Sequence, residues 1–258
     1  MEACKEVYIR QTDSTMNRAR EEADAADRAT DLFVVRTDHQ ESGRGRSGAL
    51  WQDIPGHSVL ITVAVRRGSI WDPRDPVAAT MALRAAAAVS RAIETHCSPP
   101  PSAGLAIKWP NDILIGDGKA CGILVEATSQ WFFVGIGLNL ITGKLKPDPT
   151  TDQLSSPPPY VPIGVYGDQP PGASPAMWTR WIVESLTSSL RGDWWHQFVQ
   201  DRLKWKGEAV CVLNTEGQRD VDGILLGLSE TGALMIRDPQ SNLLYPPVYV
   251  GTLRRNNC

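Results

Sequence analysis

Four short segments hold residue types that can do chemistry together. Gly43-Arg44-Gly45-Arg46-Ser47-Gly48 alternates glycine with arginine and is soon followed by Trp51. Glycine lets a backbone approach a ligand closely, and guanidinium forks match carboxylate or phosphate oxygens. Lys108-Trp109-Pro110-Asn111-Asp112 makes a compact polar corner, in which Asp112 could hold a magnesium ion bound to ATP. Gly118-Lys119-Ala120-Cys121-Gly122-Ile123-Leu124-Val125-Glu126 puts a lysine at the mouth of an apolar strand, where its charge can stabilise a transferring phosphoryl group. Gly135-Ile136-Gly137-Leu138-Asn139 is a strand whose glycines leave room for a ligand and whose Asn139 closes the site. It lacks the third glycine of a dinucleotide fingerprint. Each segment alone has a plainer explanation. Gly-Arg alternation also occurs in disordered RNA-binding tails, the second segment reads as a capped turn, and Lys119 as a solvated hairpin lysine.

The elements that must position these residues alternate between helix and strand. Asp13 and Ser14 can cap a helix running to about Ala26. Leu32–Val35 and Ser58–Val65 are apolar, β-branched runs and predict buried strands. Asp75-Pro76 opens an alanine-rich helix to about Thr95. Leu105–Trp109, Ile113–Ile115, Ala120–Ala127 and Trp131–Leu138 predict closely spaced strands of one sheet, with Gly116-Asp117-Gly118 as a tight turn. About half of the 19 prolines fall between Pro147 and Pro175, which predicts a long surface loop. Helices resume at Ser174-Pro175, with Trp178, Ile182 and Leu190 on one face, and again after an Asp193 cap. The tryptophans there read as core. After Lys206-Gly207, short strands at Ala209–Leu213, Val221–Leu226, Ala233–Ile236 and Leu243–Val250 predict a small β-barrel.

The whole chain of 258 residues, 42% of them hydrophobic, has enough apolar material for a core, which excludes general disorder. Its 26 basic and 29 acidic residues give a net charge of −3, so a global attraction to nucleic acid or membrane is not expected, although local basic clusters matter. Five scattered cysteines with no zinc spacing fit a reducing compartment better than a disulfide framework. With no spanning apolar run and no signal-peptide core at Met1–Arg10, a soluble, cytoplasmic protein is the expectation, leaving mitochondrion and plastid open.

In this order and spacing the four segments closely resemble the catalytic domain of biotin protein ligases. That family carries a GRGR loop, a KWPND turn, a GKxxGIL(V/I)E strand and a GIGxN strand, matched here by Gly43–Arg46, Lys108–Asp112, Gly118–Glu126 and Gly135–Asn139. Asp13-Ser14-Thr15 and Gln40 also match. The resemblance spans roughly residues 8–140 and continues more faintly through Gly207–Arg254. Lipoate–protein ligases share the core fold but lack the GRGR/KWPND pairing.

The resemblance implies an α/β (α+β) catalytic domain over residues 1–206, with a mixed sheet of the class II synthetase-like biotinyl/lipoyl ligase fold, and an SH3-like barrel over 207–258. It implies a monofunctional ligase that converts biotin and ATP, with Mg2+, to biotinyl-5′-AMP and passes the biotinyl group to a lysine of a carboxylase's biotin carboxyl carrier domain. Ser14, Thr15 and Gln40 would hydrogen-bond the ureido ring, which needs paired donors and acceptors when buried. Arg44 and Arg46 would neutralise carboxylate and phosphate in a loop that closes over the adenylate. Lys119 would act where charge rises in the transition state, Asn111 and Asn139 would face the nucleotide, and Asp112 would position magnesium. Gly43, Gly45, Trp51, Lys108, Trp109, Gly122, Gly135 and Gly137 complete the implied binding set, while Cys121 is assigned to packing. Met16, Ser47 and Ala49 depart from the commoner family residues, and Asn17 follows Met16 in place of the usual asparagine. About a dozen residues precede Ser14, so the winged-helix region of some relatives is not matched and DNA binding is not expected; a homodimer stays open. Two rival readings are a lipoate or octanoate ligase of the same fold, and a non-enzymatic biotin-, nucleotide- or RNA-binding protein.

Overall fold

A computed structural model describes residues 4–27, 29–69, 77–97, 103–143 and 160–256. The elements run β1 (Lys5–Thr12), α1 (Thr15–Ala25), β2 (Leu32–Gln40), β3 (Ser58–Arg66), α2 (Val77–His96), β4 (Leu105–Lys108), β5 (Asp112–Ile115), β6 (Gly118–Ala127), β7 (Trp131–Asn139), α3 (Pro175–Arg191) and α4 (Trp194–Arg202). Four short strands complete the chain: β8 (Ala209–Leu213), β9 (Arg219–Leu228), β10 (Leu234–Arg237) and β11 (Thr252–Arg255). The first seven strands form one mixed sheet in the order β1-β2-β3-β7-β6-β5-β4. Only β1 and β2 run parallel; the other neighbours are antiparallel.

Period-two alternation explains how both sheet faces acquire helices. Phe33, Val35, Ala64, Trp131 and Phe133 bury one face against Met16, Ala19 and Ala23 of α1. The intervening Val34, Val63, Val65, Phe132, Val134 and Ile136 face α2 and α3 in a larger core. β3, expected as a strand from its β-branched residues, is buried on both sides for almost its whole length. Ser14 caps α1 by accepting from Met16 N, and Ser174 caps α3 by accepting from Met177 N. Asp193 precedes α4 as expected, but its side chain makes no capping hydrogen bond. The expected cap at Asp75-Pro76 lies outside the described residues.

The last four strands form an antiparallel sheet in the order β10-β9-β8-β11. Among the described residues this sheet is open and does not close into a barrel. Leu243–Val250 was expected as a strand, yet it contributes only isolated bridges at Leu244 and Val248. Pro246 and Pro247 lack the N–H groups a ladder needs, and the pairing role passes to β11. Of the proline-rich stretch, residues 160–174 hold no helix or strand beyond one bridge. They are not merely a surface loop, because Val165 N donates to Asn139 O and Tyr166 N to Leu140 O, extending the end of β7. No helix among the described residues is long and apolar enough to cross a membrane.

Candidate active site

The α1 face of the sheet loses its side chains just beyond the helix's N-terminus. Trp131 and Phe133 cover that face, and the same parity aims Gly135, Gly137 and Asn139 at it. Gly135 pairs with Thr62 of β3 and with Leu124 of β6, and Gly137 pairs with Gly122. The bare floor is filled by other residues. A Cβ on Gly137 would lie 2.3 Å from the Trp51 ring, one on Gly122 2.8 Å from it, and one on Gly135 2.9 Å from Met16 Cε. Above this floor lies a cavity of about 340 Å³, within the usual range for a small-molecule site.

Lys108 ends β4 and Asp112 begins β5, and the two are cross-strand partners around the turn Trp109-Pro110-Asn111. Lys119 arrives from the next strand by a register shift. Strict alternation would put Lys119 on the same face as Cys121, which is in the α2-side core. A bulge makes Ile113 face Cys121 and Leu114 face Lys119, leaving Ala120 extra. The bulge turns Lys119 into the cavity while Ala120 and Cys121 stay buried in the core. Burial pushes the Cys121 thiol up, consistent with its packing assignment.

The charges form one cluster. Lys119 Nζ lies 2.7 Å from Asp112 Oδ1 and Lys108 Nζ 3.8 Å from Asp112 Oδ2. Burial alone would raise the Asp112 pKa, but Lys119 and Lys108 outweigh it and hold the carboxyl below its ordinary value. Burial drives the Lys108 ammonium down to about 8, assisted by Arg254, Lys119 and Arg46 and opposed by Asp112. Arg46 is likewise lowered by burial against the pull of Asp112. Its guanidinium donates to Asn111 Oδ1 at 3.2 Å and to Gly251 O at 3.1 Å. Three cations, Lys119, Lys108 and Arg46, thus act on a single carboxylate, a field suited to a polyanion.

The Arg-Gly segment is an ordered hairpin rather than a tail. Gly45 N donates to Ala49 O, Trp51 N to Gly43 O, and Arg44 bridges Leu50. Arg44 Nη2 donates to Asn17 Oδ1 at 2.6 Å, so Asn17 takes a polar role beside the buried Met16. Ala49 contributes its carbonyl to the hairpin, and the Ser47 side chain lies outside the described residues. At the opposite end of the cavity, Gln40 Oε1 accepts from Thr15 N and Thr15 Oγ1, and Thr62 Oγ1 donates to Thr15 Oγ1.

Of the residues proposed from sequence, Ser14, Thr15, Gln40, Arg44, Gly45, Arg46, Trp51, Lys108, Asn111, Asp112, Lys119, Gly122, Gly135, Gly137 and Asn139 all line this one cavity. Gly43 stands behind it, where a Cβ would press on Gln40 and Trp51. Trp109 points elsewhere: it is buried, and its Nε1 donates to Gly232 O next to β10. Asp112 Oδ1 is paired with Lys119 at 2.7 Å, while Oδ2 has only Lys108 at 3.8 Å, beyond hydrogen-bond distance. Among the described residues no cluster of three His, Cys, Asp or Glu could hold a metal. Asp112 is the residue that would hold a magnesium ion, as a single carboxylate sharing it with phosphate oxygens. Sequence reasoning missed Tyr160, Pro162, Thr252 and Arg254, which also line the cavity. Alternation around Leu253 places Thr252 and Arg254 off the core without marking this cavity, and Tyr160, inside a proline-rich stretch, carries no local signal at all.

Comparison with known proteins agrees with this geometry. Residues 8–140 match the model of the biotin/lipoate A/B protein ligase family. The chain is 29% identical over 228 residues to a biotin–[acetyl-CoA-carboxylase] ligase of Paracoccus denitrificans, covering 82% of this chain and 86% of that one. It is 28% identical over 245 residues to the bifunctional ligase/repressor of Bacillus subtilis, covering 89% of this chain and 68% of the relative. Its fold matches a biotin protein ligase from Aquifex aeolicus, solved with biotin and ATP, at a TM-score of 0.69 and 20% identity, over 98% of this chain and 99% of that one.

Proposed function

The chain belongs to the biotin/lipoate A/B protein ligase family, and we propose from this that it is an ATP-dependent biotin–[acetyl-CoA-carboxylase] ligase. In the first step a biotin carboxylate oxygen attacks the α-phosphorus of ATP; the α–β bridging bond breaks, giving biotinyl-5′-AMP and pyrophosphate. In the second, a lysine amine of a carboxylase's carrier domain attacks the biotinyl carbonyl, forming an amide and releasing AMP and a proton.

The observation that carries this reading is the convergence of Arg46, Lys108, Asp112 and Lys119 on one glycine-floored cavity. Two anions repel as the carboxylate nears the α-phosphate, and an oriented cation cluster offsets that repulsion where charge concentrates. Lys119 is assigned to the oxygens at the reacting phosphorus. Asp112 holds its ammonium in place through the ion pair at 2.7 Å. Arg46, tethered to Asn111 and Gly251 O, is assigned to the phosphate and to retaining the adenylate away from water. Ser14, Thr15 and Gln40 are assigned to the ureido ring. Two buried atoms without a hydrogen-bond partner, Trp51 Nε1 and Asn139 Oδ1, offer one donor and one acceptor on residues that line the cavity. Leaving them unmet costs about 1–3 kcal/mol each, which favours a polar heterocycle such as the adenine. Magnesium belongs to the triphosphate as part of the substrate. The division into residues 1–206 and 207–258 is part of the same proposal.

The test is pyrophosphate exchange into ATP by the purified protein with biotin, lipoate or octanoate. Biotin-dependent exchange is expected. Exchange that requires lipoate and ignores biotin would overturn the substrate, and tight RNA binding without any adenylate would overturn the reaction.

A further inference from the structure

Tyr160, at the end of the proline-rich stretch, is absorbed by none of the roles above. Its ring lies against Lys108, with Nζ 4.6 Å from the ring centroid, and the residue lines the cavity. The backbone that follows is bonded to Lys119 on both sides: Lys119 N donates to Val161 O at 2.9 Å and Ile163 N to Lys119 O at 3.0 Å. Val165 N then donates to Asn139 O. Close packing enforces this path. A Cβ on Gly164 would fall 2.1 Å from the Ile141 carbonyl carbon, and one on Gly118 2.7 Å from Ile163. Residues 160–165 therefore grip the backbone of Lys119 and Asn139 and the side chain of Lys108.

We propose that Tyr160 is a positioning residue that fixes the Lys108 ammonium toward the nucleotide phosphates, as the leading side chain of a clamp across the ends of β6 and β7. The proposal rests on the ligase reading for the identity of the nucleotide. The physical need is specific. Lys108 is nearly fully buried and has Asp112 as its ion-pair partner, at 3.8 Å, a carboxylate already engaged at 2.7 Å by Lys119. A flexible four-carbon stem with so distant a partner is weakly directed, and an aromatic face supplies the second point of attachment. The phenol is neutral, with burial pushing its pKa up to about 12, so the ring face and not a phenolate meets the ammonium.

The test compares Tyr160→Phe and Tyr160→Leu with the parent protein, using calorimetric titration with ATP and with biotin, thermal unfolding, and KM and kcat in exchange. Tyr160→Phe keeps the face and should behave as the parent. Tyr160→Leu fills the space without the face, and should weaken ATP binding and raise the KM for ATP roughly tenfold, with biotin affinity and melting temperature unchanged. Parental ATP affinity in Tyr160→Leu would overturn the proposal. So would joint loss of biotin affinity and melting temperature, which marks a merely structural residue, or equal loss in Tyr160→Phe, which assigns the effect to the hydroxyl. Parent protein that binds ATP but never exchanges with biotin would sink the ligase reading, while ATP affinity in the two variants would still decide the role of Tyr160.

Discussion

Replacing Lys119 by Met keeps most of the stem and removes the charge. Preorganised charge at the reacting oxygens is worth about 3–4 kcal/mol, so exchange should fall by roughly 10²–10³. Biotin affinity should hold, because Ser14, Thr15 and Gln40 are organised by one another and by Thr62, with no bond to Lys119. The substitution has a second consequence that must be separated from the first. Asp112 would keep only Lys108, at 3.8 Å. Stranding a buried carboxylate costs about 3–5 kcal/mol when pairing is lost outright. Because the Lys119 side chain is 30% exposed and Lys108 remains, about 1–2 kcal/mol is the reasonable figure here. The double variant Lys119→Met/Asp112→Asn removes the stranded carboxylate but also takes the counter-charge from buried Lys108, so it should recover the melting temperature in part and exchange not at all. Exchange rates, biotin titration and thermal unfolding on the three proteins decide the matter. Biotin affinity falling in proportion to rate, or exchange restored in the double variant, would refute the assignment of Lys119 to the transition state.

Arg46→Gly removes the bonds to Asn111 and Gly251, and should leak adenylate and label bystander lysines; mass spectrometry finding unchanged selectivity would count against retention by this side chain. Gly137→Ala puts a methyl 2.3 Å from the Trp51 ring, which must shift, so nucleotide affinity should drop at least tenfold while α1-side packing survives; titration showing parental ATP affinity would contradict the floor assignment. Lys108 titrates at about 8 when folded against 10.5 as the ordinary value. Between those pH values the unfolded chain binds the extra proton, so stability contributed by this group rises with pH across the window, by about 3 kcal/mol. In the same protein kcat/KM for ATP should fall above pH 8 as the charge is lost. Denaturant titrations at stepped pH, set beside rate profiles, test the opposite signs, and a stability that declines from 8 to 10 with a flat rate profile would be fatal.

Much of this site could be read before any coordinates, for identifiable reasons. The motif residues sit at strand ends and tight turns, where glycine and proline restrict the backbone enough for spacing to imply position. Gly135 and Gly137 were legible as open space because glycine in a strand marks a close approach, but the structure fills that space with Met16 and the Trp51 ring, on which the ligand cavity then rests. The orientation of Lys119 was not legible, since it depends on a bulge at Ala120 that no local composition marks. Its motif places Trp109 in the binding set with its neighbours, yet the indole is buried and bonded to distant Gly232, which no single segment reveals. Tyr160 and Arg254 join the cavity from about 40 and 135 residues beyond Lys119; contacts so remote are set by tertiary closure. The proline pair in Leu243–Val250 is a local signal against a strand there, and it explains why the final strand lies at Thr252–Arg255 instead.

Two of the motif side chains, Arg46 and Trp109, end on main-chain oxygens of the C-terminal segment, at Gly251 and Gly232. An amide oxygen is present whatever amino acid stands there, so a substitution at Gly232 or Gly251 cannot delete either acceptor; only displacement of the backbone can. A gene cut at Lys206-Gly207 would strip both oxygens at once and leave an indole N–H stranded in the interior. Neither half should be competent alone, and co-expressed halves should regain adenylate synthesis only when they rejoin, which would make the junction a natural place to install a proximity-controlled version of the enzyme.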